Sequence, residues 1–286
     1  MEATILTKVV LPISLFIVML GMGLSLSLLD FKNTAKNPRS VVIGLLMQLV
    51  LLPAVGFVIA GSFGLEPMLA VGLMVIALCP GGVTSNLYSY LARGNIALSI
   101  SLTAIVSLIT PFSIPLLLAF FMDHFIGKSE SIELPLLKTI LTLIAITVLP
   151  VGIGMVIKEK ASLFAEKAEG IVKVLSMLLL FAIVAGIAKQ NWDRLPDFFA
   201  KVGMASFVLC VVTMAAGYGL SRVLKTGRKD AVTIGIEVGI QNGTTGIFIT
   251  STILQNPVLS VAPAVYSLIM FAVGGVYAFY FARHSG

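Results

Sequence analysis

Residues 235–246 read Gly-Ile-Glu237-Val-Gly-Ile-Gln241-Asn242-Gly-Thr-Thr-Gly. They lie in an apolar segment, about 232–254, and roughly 20 such residues suffice to cross a bilayer. Glu237 is the only acidic residue that falls deep inside an apolar segment. A carboxylate at the centre of a membrane helix costs about 2.5–3.5 kcal/mol on insertion scales, so it faces a cavity and has partners. Gln241, Asn242, Thr244 and Thr245 offer polar groups close by, and Gly235, Gly239, Gly243 and Gly246 argue against a regular helix. Broken backbone inside a membrane is tolerated only where it is buried in protein or lines a polar site. The stretch therefore predicts a polar site housed in a bundle of membrane helices.

Eight further apolar segments surround it, at about 9–29, 41–63, 68–92, 96–121, 136–157, 171–187, 202–220 and 261–281. The chain is 58% hydrophobic and 11% charged, where soluble chains carry about 25% charged residues. The expectation is one all-α domain in the lipid bilayer with nine transmembrane helices. The net charge of +6 does not point to nucleic acid, because the basic residues sit in short loops beside apolar segments and form no aromatic-interleaved run. Thirteen of the nineteen basic residues fall on the side reached after the first, third, fifth, seventh and ninth segments. The positive-inside rule then places the N-terminus outside and the C-terminus in the cytoplasm.

Other chemistry finds little support. Cys79 and Cys210 lie in apolar segments with no metal or disulfide spacing and read as small buried residues. His124, in a loop, and His284, at the C-terminal end, read as solvated. No Ser-His-Asp set, metal cluster or intramembrane histidine suggests an enzyme. The first apolar segment is too long for a secretory signal and lacks a small-residue cleavage pattern. Nothing in the sequence points to an obligate protein partner.

A second interruption occurs at Cys79-Pro80-Gly81-Gly82, followed by Val83-Thr84-Ser85-Asn86. The two broken segments are five apart and so cross the membrane in opposite directions, the pattern of an inverted-repeat transporter with two discontinuous helices. A hard cation needs several oxygen ligands. Glu237 offers charge; Ser85, Asn86, Ser99, Thr103, Gln48 and Gln241 offer neutral oxygens. Ser99 and Thr103 are four apart and share a helix face. Half-helix N-termini at the breaks suit an organic anion, since no Lys or Arg lies deep in a segment. Proton coupling through Glu237, uncoupled transport, an arsenite-type permease using Cys79, a passive channel and a membrane sensor are the alternatives.

At these residues the chain resembles the bile acid:sodium symporter family. The matching pieces are Gly21-Met22-Gly23-Leu24, Cys79-Pro80-Gly81-Gly82 with Ser85-Asn86, Tyr90-Leu91-Ala92-Arg93-Gly94-Asn95 leading to Ala97-Leu98-Ser99, and Glu237-Val238-Gly239 with Gln241-Asn242. The resemblance implies a bacterial inner-membrane protein whose core domain, about 41–121 and 201–282, holds two crossing discontinuous helices, with a smaller panel domain, about 8–30 and 135–189. It implies a nine-span form lacking the first span of ten-span relatives. It also implies two sodium sites, one from Ser85, Asn86, Ser99, Thr103 and Glu237. The other would use Gln48, Gln241, Glu237 and the carbonyls of Val238 and Ile240. Thr84, Asn86 and Asn242 would face an organic anion such as a bile acid or small carboxylate, imported by alternating access. Two positions depart from relatives: Val83-Thr84 shifts a hydroxyl by one place, and Met270 stands where some carry a polar residue.

Overall fold

A computed structural model describes residues 6–27, 29–30, 38–127, 134–190 and 192–284. Every regular element among them is helical. In chain order they are α1 (Leu11–Leu24), α2 (Pro38–Ser62), α3 (Pro67–Leu78), α4 (Val83–Leu91), α5 (Ile96–Phe125), α6 (Leu136–Lys160) and α7 (Ser162–Gln190). Then come α8 (Pro196–Val223), α9 (Arg228–Gly239), α10 (Gly243–Phe248), extended by a π-turn at Ile249–Ile253, and α11 (Val261–Arg283).

Six of these helices are long and apolar enough to cross a membrane, or seven if the bent pair α3–α4 counts as one span. The expected nine segments are all present as helices. However, α1 is short and α9–α10 is interrupted and carries Arg228, Lys229, Asp230 and Glu237, so neither meets the length and composition of a simple span. Exposed apolar side chains form stripes four residues apart: Val42, Leu46 and Val50 on α2, and Leu108, Phe112, Leu116 and Phe120 on α5. Stripes of this kind belong against lipid, since a water-facing helix would be polar there.

Inside that coat, α3 is the central helix. Every residue from Leu69 to Leu78 is buried, and the helix packs on α2, α5 and α11. A second group forms where α1 crosses α6 and α7. A Cβ added at Gly23 would lie 2.2 Å from the Val151 carbonyl oxygen. Small residues of this kind let membrane helices touch backbone to backbone. Helices α8 and α9 also meet backbone to backbone, a Cβ at Gly217 lying 3.0 Å from Gly235 Cα.

Several boundaries differ from the sequence reading. The first helix stops at Leu24 rather than near 29, with Ser25 donating its backbone N–H to the Met22 carbonyl. The charged stretch after α6 is already helical from Ser162, so Glu166, Lys167 and Glu169 lie on α7 and not in a loop. His124 is in the last turn of α5, exposed but set among Phe57, Phe120 and Phe125, because α5 runs to Phe125. The loop residues Lys32, Lys36, Lys128, Glu130 and Glu133 lie outside the described residues.

Candidate functional site

Both interruptions predicted from glycine, proline and polar residues are real. The α3–α4 pair bends by 65°. It breaks because Pro80 has no N–H to donate and Gly81 and Gly82 let the chain extend; Cys79 and Gly82 both have extended backbone. The α9–α10 pair breaks at Ile240, Gln241 and Asn242. Asn242 restarts the helix as its N-cap, its Oδ1 accepting from the Thr245 N–H at 3.0 Å. The two breaks meet: Asn242 N–H donates to the Pro80 carbonyl at 2.8 Å.

Glu237 sits beside this junction, buried at 3% exposure. Its Oε1 accepts from Ser99 Oγ at 2.5 Å and its Oε2 from Thr103 Oγ1 at 2.6 Å. Ser99 Oγ is also 2.9 Å from Asn86 Oδ1. A hydroxyl has one hydrogen and cannot serve both acceptors. Ser85 Oγ lies 3.4 Å from Thr103 Oγ1 and donates to the Gly82 carbonyl at 2.8 Å. The cluster thus holds more oxygen lone pairs than protons, on side chains that are all at least nine-tenths buried.

Gly81 shows where these oxygens converge. A Cβ there would lie 2.7 Å from Glu237 Oε2, 3.1 Å from Ser85 Oγ and 3.2 Å from Thr103 Oγ1. Hydrogen bonds to an ionised group contribute about 1.5–3 kcal/mol each. Two hydroxyls therefore offset part of the cost of burying a carboxylate, and a cation held by the same oxygens would neutralise it. The donor set, all hard oxygen, fits a small hard cation.

The second predicted group also assembles. Gln48 Nε2 donates to Gln241 Oε1 at 2.7 Å and to the Cys79 carbonyl at 3.2 Å. Gln241 Nε2 donates to the carbonyls of Val238 at 2.8 Å and Glu237 at 3.1 Å. Glu237 therefore joins both groups, by its side chain on one and its carbonyl on the other. Gln48 Oε1 is buried without a hydrogen-bond partner among the described residues. Gln48 lies in a π-turn, Met47–Leu51, just ahead of Pro53, whose missing N–H loosens the helix there. Ile240 is in the break itself, its side chain against Gly274.

A narrow cavity opens beside the breaks, lined by Thr84, Asn242, Thr244 and Met270 together with Val18 of α1 and Ser176 and Leu180 of α7. Asn242 Nδ2 and Ser176 Oγ are buried there without partners among the described residues. Asn86 is not among the residues that line this cavity; its Oδ1 meets Ser99 in the Glu237 cluster.

The profile of the Sodium Bile acid symporter family matches residues 12–198. The chain belongs to that family. It is 30% identical over 278 residues to the uncharacterized sodium-dependent transporter YocS of Bacillus subtilis, covering 96% of this chain and 83% of that protein. It is 29% identical to the human ileal sodium/bile acid cotransporter, covering 98% of this chain and 80% of that one. It is likewise 29% identical to the probable chloroplastic sodium/metabolite cotransporter BASS2 of Oryza sativa, covering 96% of this chain and 64% of that protein. This member of the sodium bile acid symporter family is an integral membrane transporter and not an enzyme.

For the symporter-family protein, the structure adds residues that sequence reading passed over. Gly81 lies at the oxygen cluster, where a Cβ would press on the Glu237 carboxylate, and Ser176 reaches the cavity from a helix read as plain apolar packing. The signal for Gly81 was present in the Pro-Gly-Gly run. None marked Ser176.

Proposed function

We propose that the protein is a sodium-coupled symporter that imports an organic anion, a bile acid or a small carboxylate. The observation that carries this reading is Glu237: a buried carboxylate whose oxygens accept from Ser99 and Thr103, with Ser85 and Asn86 close by. In this reading one sodium takes Ser85, Asn86, Ser99, Thr103 and Glu237. A second takes Gln48, Gln241, Glu237 and the carbonyls of Val238 and Ile240. The relatives named for sodium coupling with a bile acid or a metabolite support it.

Counting α1 and the α9–α10 pair as crossings gives nine spans, with the N-terminus outside and the C-terminus cytoplasmic. The helices that pack as α1, α6 and α7 form the panel, and α2–α5 with α8–α11 form the core. The anion occupies the cavity between them, at Thr84 and at Asn242, whose Nδ2 has no partner among the described residues. Alternating access is relative movement of panel and core.

Thermal unfolding of the purified protein in sodium against potassium, at equal ionic strength, tests the ion site. A ligand that binds only the folded state stabilises it by about 2.7 kcal/mol at 100 times its Kd. Sodium should raise the wild-type melting temperature and leave Glu237→Ala unchanged. Identical curves in the two salts would defeat the reading. Accumulation of taurocholate or pyruvate in vesicles against its own gradient, driven by sodium, separates a symporter from a channel.

A further inference from the structure

Asp230 lies in the first turn of α9, directly after the basic residues Arg228 and Lys229. It is nevertheless buried, at 8% exposure. Its Oδ2 accepts from Ser40 Oγ at 2.6 Å and its Oδ1 from Asn95 Nδ2 at 2.8 Å. Asn95 is the N-cap of α5, its own Oδ1 accepting from the Leu98 N–H at 3.2 Å. One turn after Asp230, Thr233 Oγ1 accepts from the Asn95 N–H at 2.8 Å and lies 3.2 Å from the Asn95 carbonyl. Gly94 permits this approach, since a Cβ there would be 2.5 Å from Thr233 Oγ1.

Three helices therefore start from one carboxylate: α2 through Ser40, α5 through Asn95, and α9 itself. Each delivers a polar group to the Glu237 region about two turns, or roughly 11 Å, further on, and α5 delivers a second one, Ser99, after a single turn. Helix α2 delivers Gln48, α5 delivers Ser99 and Thr103, and α9 delivers Glu237, seven residues from Asp230 on the same face. Helices that begin at a shared anchor and meet again two turns later have a set axial register.

We propose that Asp230 is a positioning residue for the oxygen cluster around Glu237: it touches no ion but sets the register of α2, α5 and α9, and so the cluster's affinity for sodium. The proposal rests on the sodium reading of that cluster. The carboxylate accepts from both partners and does so with a full negative charge. In Asp230→Asn that charge is lost, and the new NH₂ either faces the Asn95 Nδ2 donor or turns the Ser40 hydroxyl from donor to acceptor, so both contacts weaken and the α5 cap shifts.

The test is a sodium titration of the melting temperature, in a potassium background, for wild type, Asp230→Asn, Ser40→Ala and the control Lys229→Ala. Loss of an outer partner of a metal site commonly weakens binding about 10-fold or more. The half-saturating sodium concentration should rise about 10-fold in Asp230→Asn, by a smaller factor in Ser40→Ala, and stay unchanged in Lys229→Ala. In vesicle uptake the KM for sodium should rise while kcat at saturating sodium holds. If Asp230→Asn does not fold, Ser40→Ala, which removes one neutral contact, decides the matter. A lower melting temperature in potassium with no change in half-saturating sodium would make Asp230 a structural anchor and overturn the proposal. A wild type that ignores sodium would overturn the sodium reading itself, and this proposal with it.

Discussion

The Asn242 N–H and the Pro80 carbonyl, 162 residues apart in the chain, are hydrogen-bonded at 2.8 Å. Neither group has a helical partner, because each lies in a break. In a membrane interior such groups have no water to turn to. Each break therefore satisfies the other. Three other carbonyls at the breaks are taken by side chains: Cys79 by Gln48, Val238 by Gln241, and Gly239 by the Tyr266 hydroxyl at 2.9 Å.

Gly81→Ala should remove the sodium response while leaving the bundle folded. The added Cβ would stand 2.7 Å from Glu237 Oε2, in the space the cluster's oxygens share. The expected result is a melting temperature in potassium near that of wild type and an affinity for sodium weakened by about 100-fold, the upper end of what a disturbed metal site loses.

Ser99→Ala and Thr103→Val each take one hydroxyl from Glu237. The loss is about 1.5–3 kcal/mol for a bond to an ionised group, so each should lower sodium affinity about 10- to 100-fold. The double variant should cost less than the sum, because both hydroxyls serve one carboxylate. Sodium titrations of thermal stability read all three values.

Asn242→Asp separates anion from cation. It retains an oxygen to cap Thr245 but places a second oxygen where Nδ2 now faces the cavity. Sodium stabilisation should persist, and uptake of the organic anion should fall by at least about 10-fold through repulsion of like charge, a difference of about 1.4 kcal/mol. Parallel loss of both responses would place Asn242 in the ion site instead.

Gly239→Ala should destabilise the fold by about 1–3 kcal/mol, the usual cost of overpacking. Its Cβ would lie 1.9 Å from Met214 Cγ on α8. Shortening that neighbour in the double variant Gly239→Ala, Met214→Ala should recover part of the loss in thermal unfolding.

Cys79 and Cys210 are both free and fully buried. Thiolate chemistry needs access and ionisation. Neither should react with a maleimide in the folded protein, and both should react after denaturation in detergent. Cys79→Ser should preserve transport, which would dispose of a thiol-based permease.

Much of the candidate site was legible because its cues are local. Glu237 stood out as an acid in an apolar run, and the glycines and Pro80 around the polar residues marked both breaks. Gln48 and Gln241 were paired only by the family resemblance, yet their side chains do meet. Asp230 was lost among basic neighbours, since a sequence does not reveal that its carboxylate turns inward to Ser40 and Asn95. His124 was read as solvated loop because nothing marked where α5 would end.

Hydropathy and backbone chemistry act over a few residues, so the sequence alone determined the membrane class, the helical architecture and the places where two helices must break. Which oxygens converge was decided only by tertiary structure. Ser99 reaches Glu237 across 138 residues and Gln48 reaches Gln241 across 193. Contacts at such separation depend on how closely α2, α5 and α9 pack, and close packing is a property of the assembled bundle.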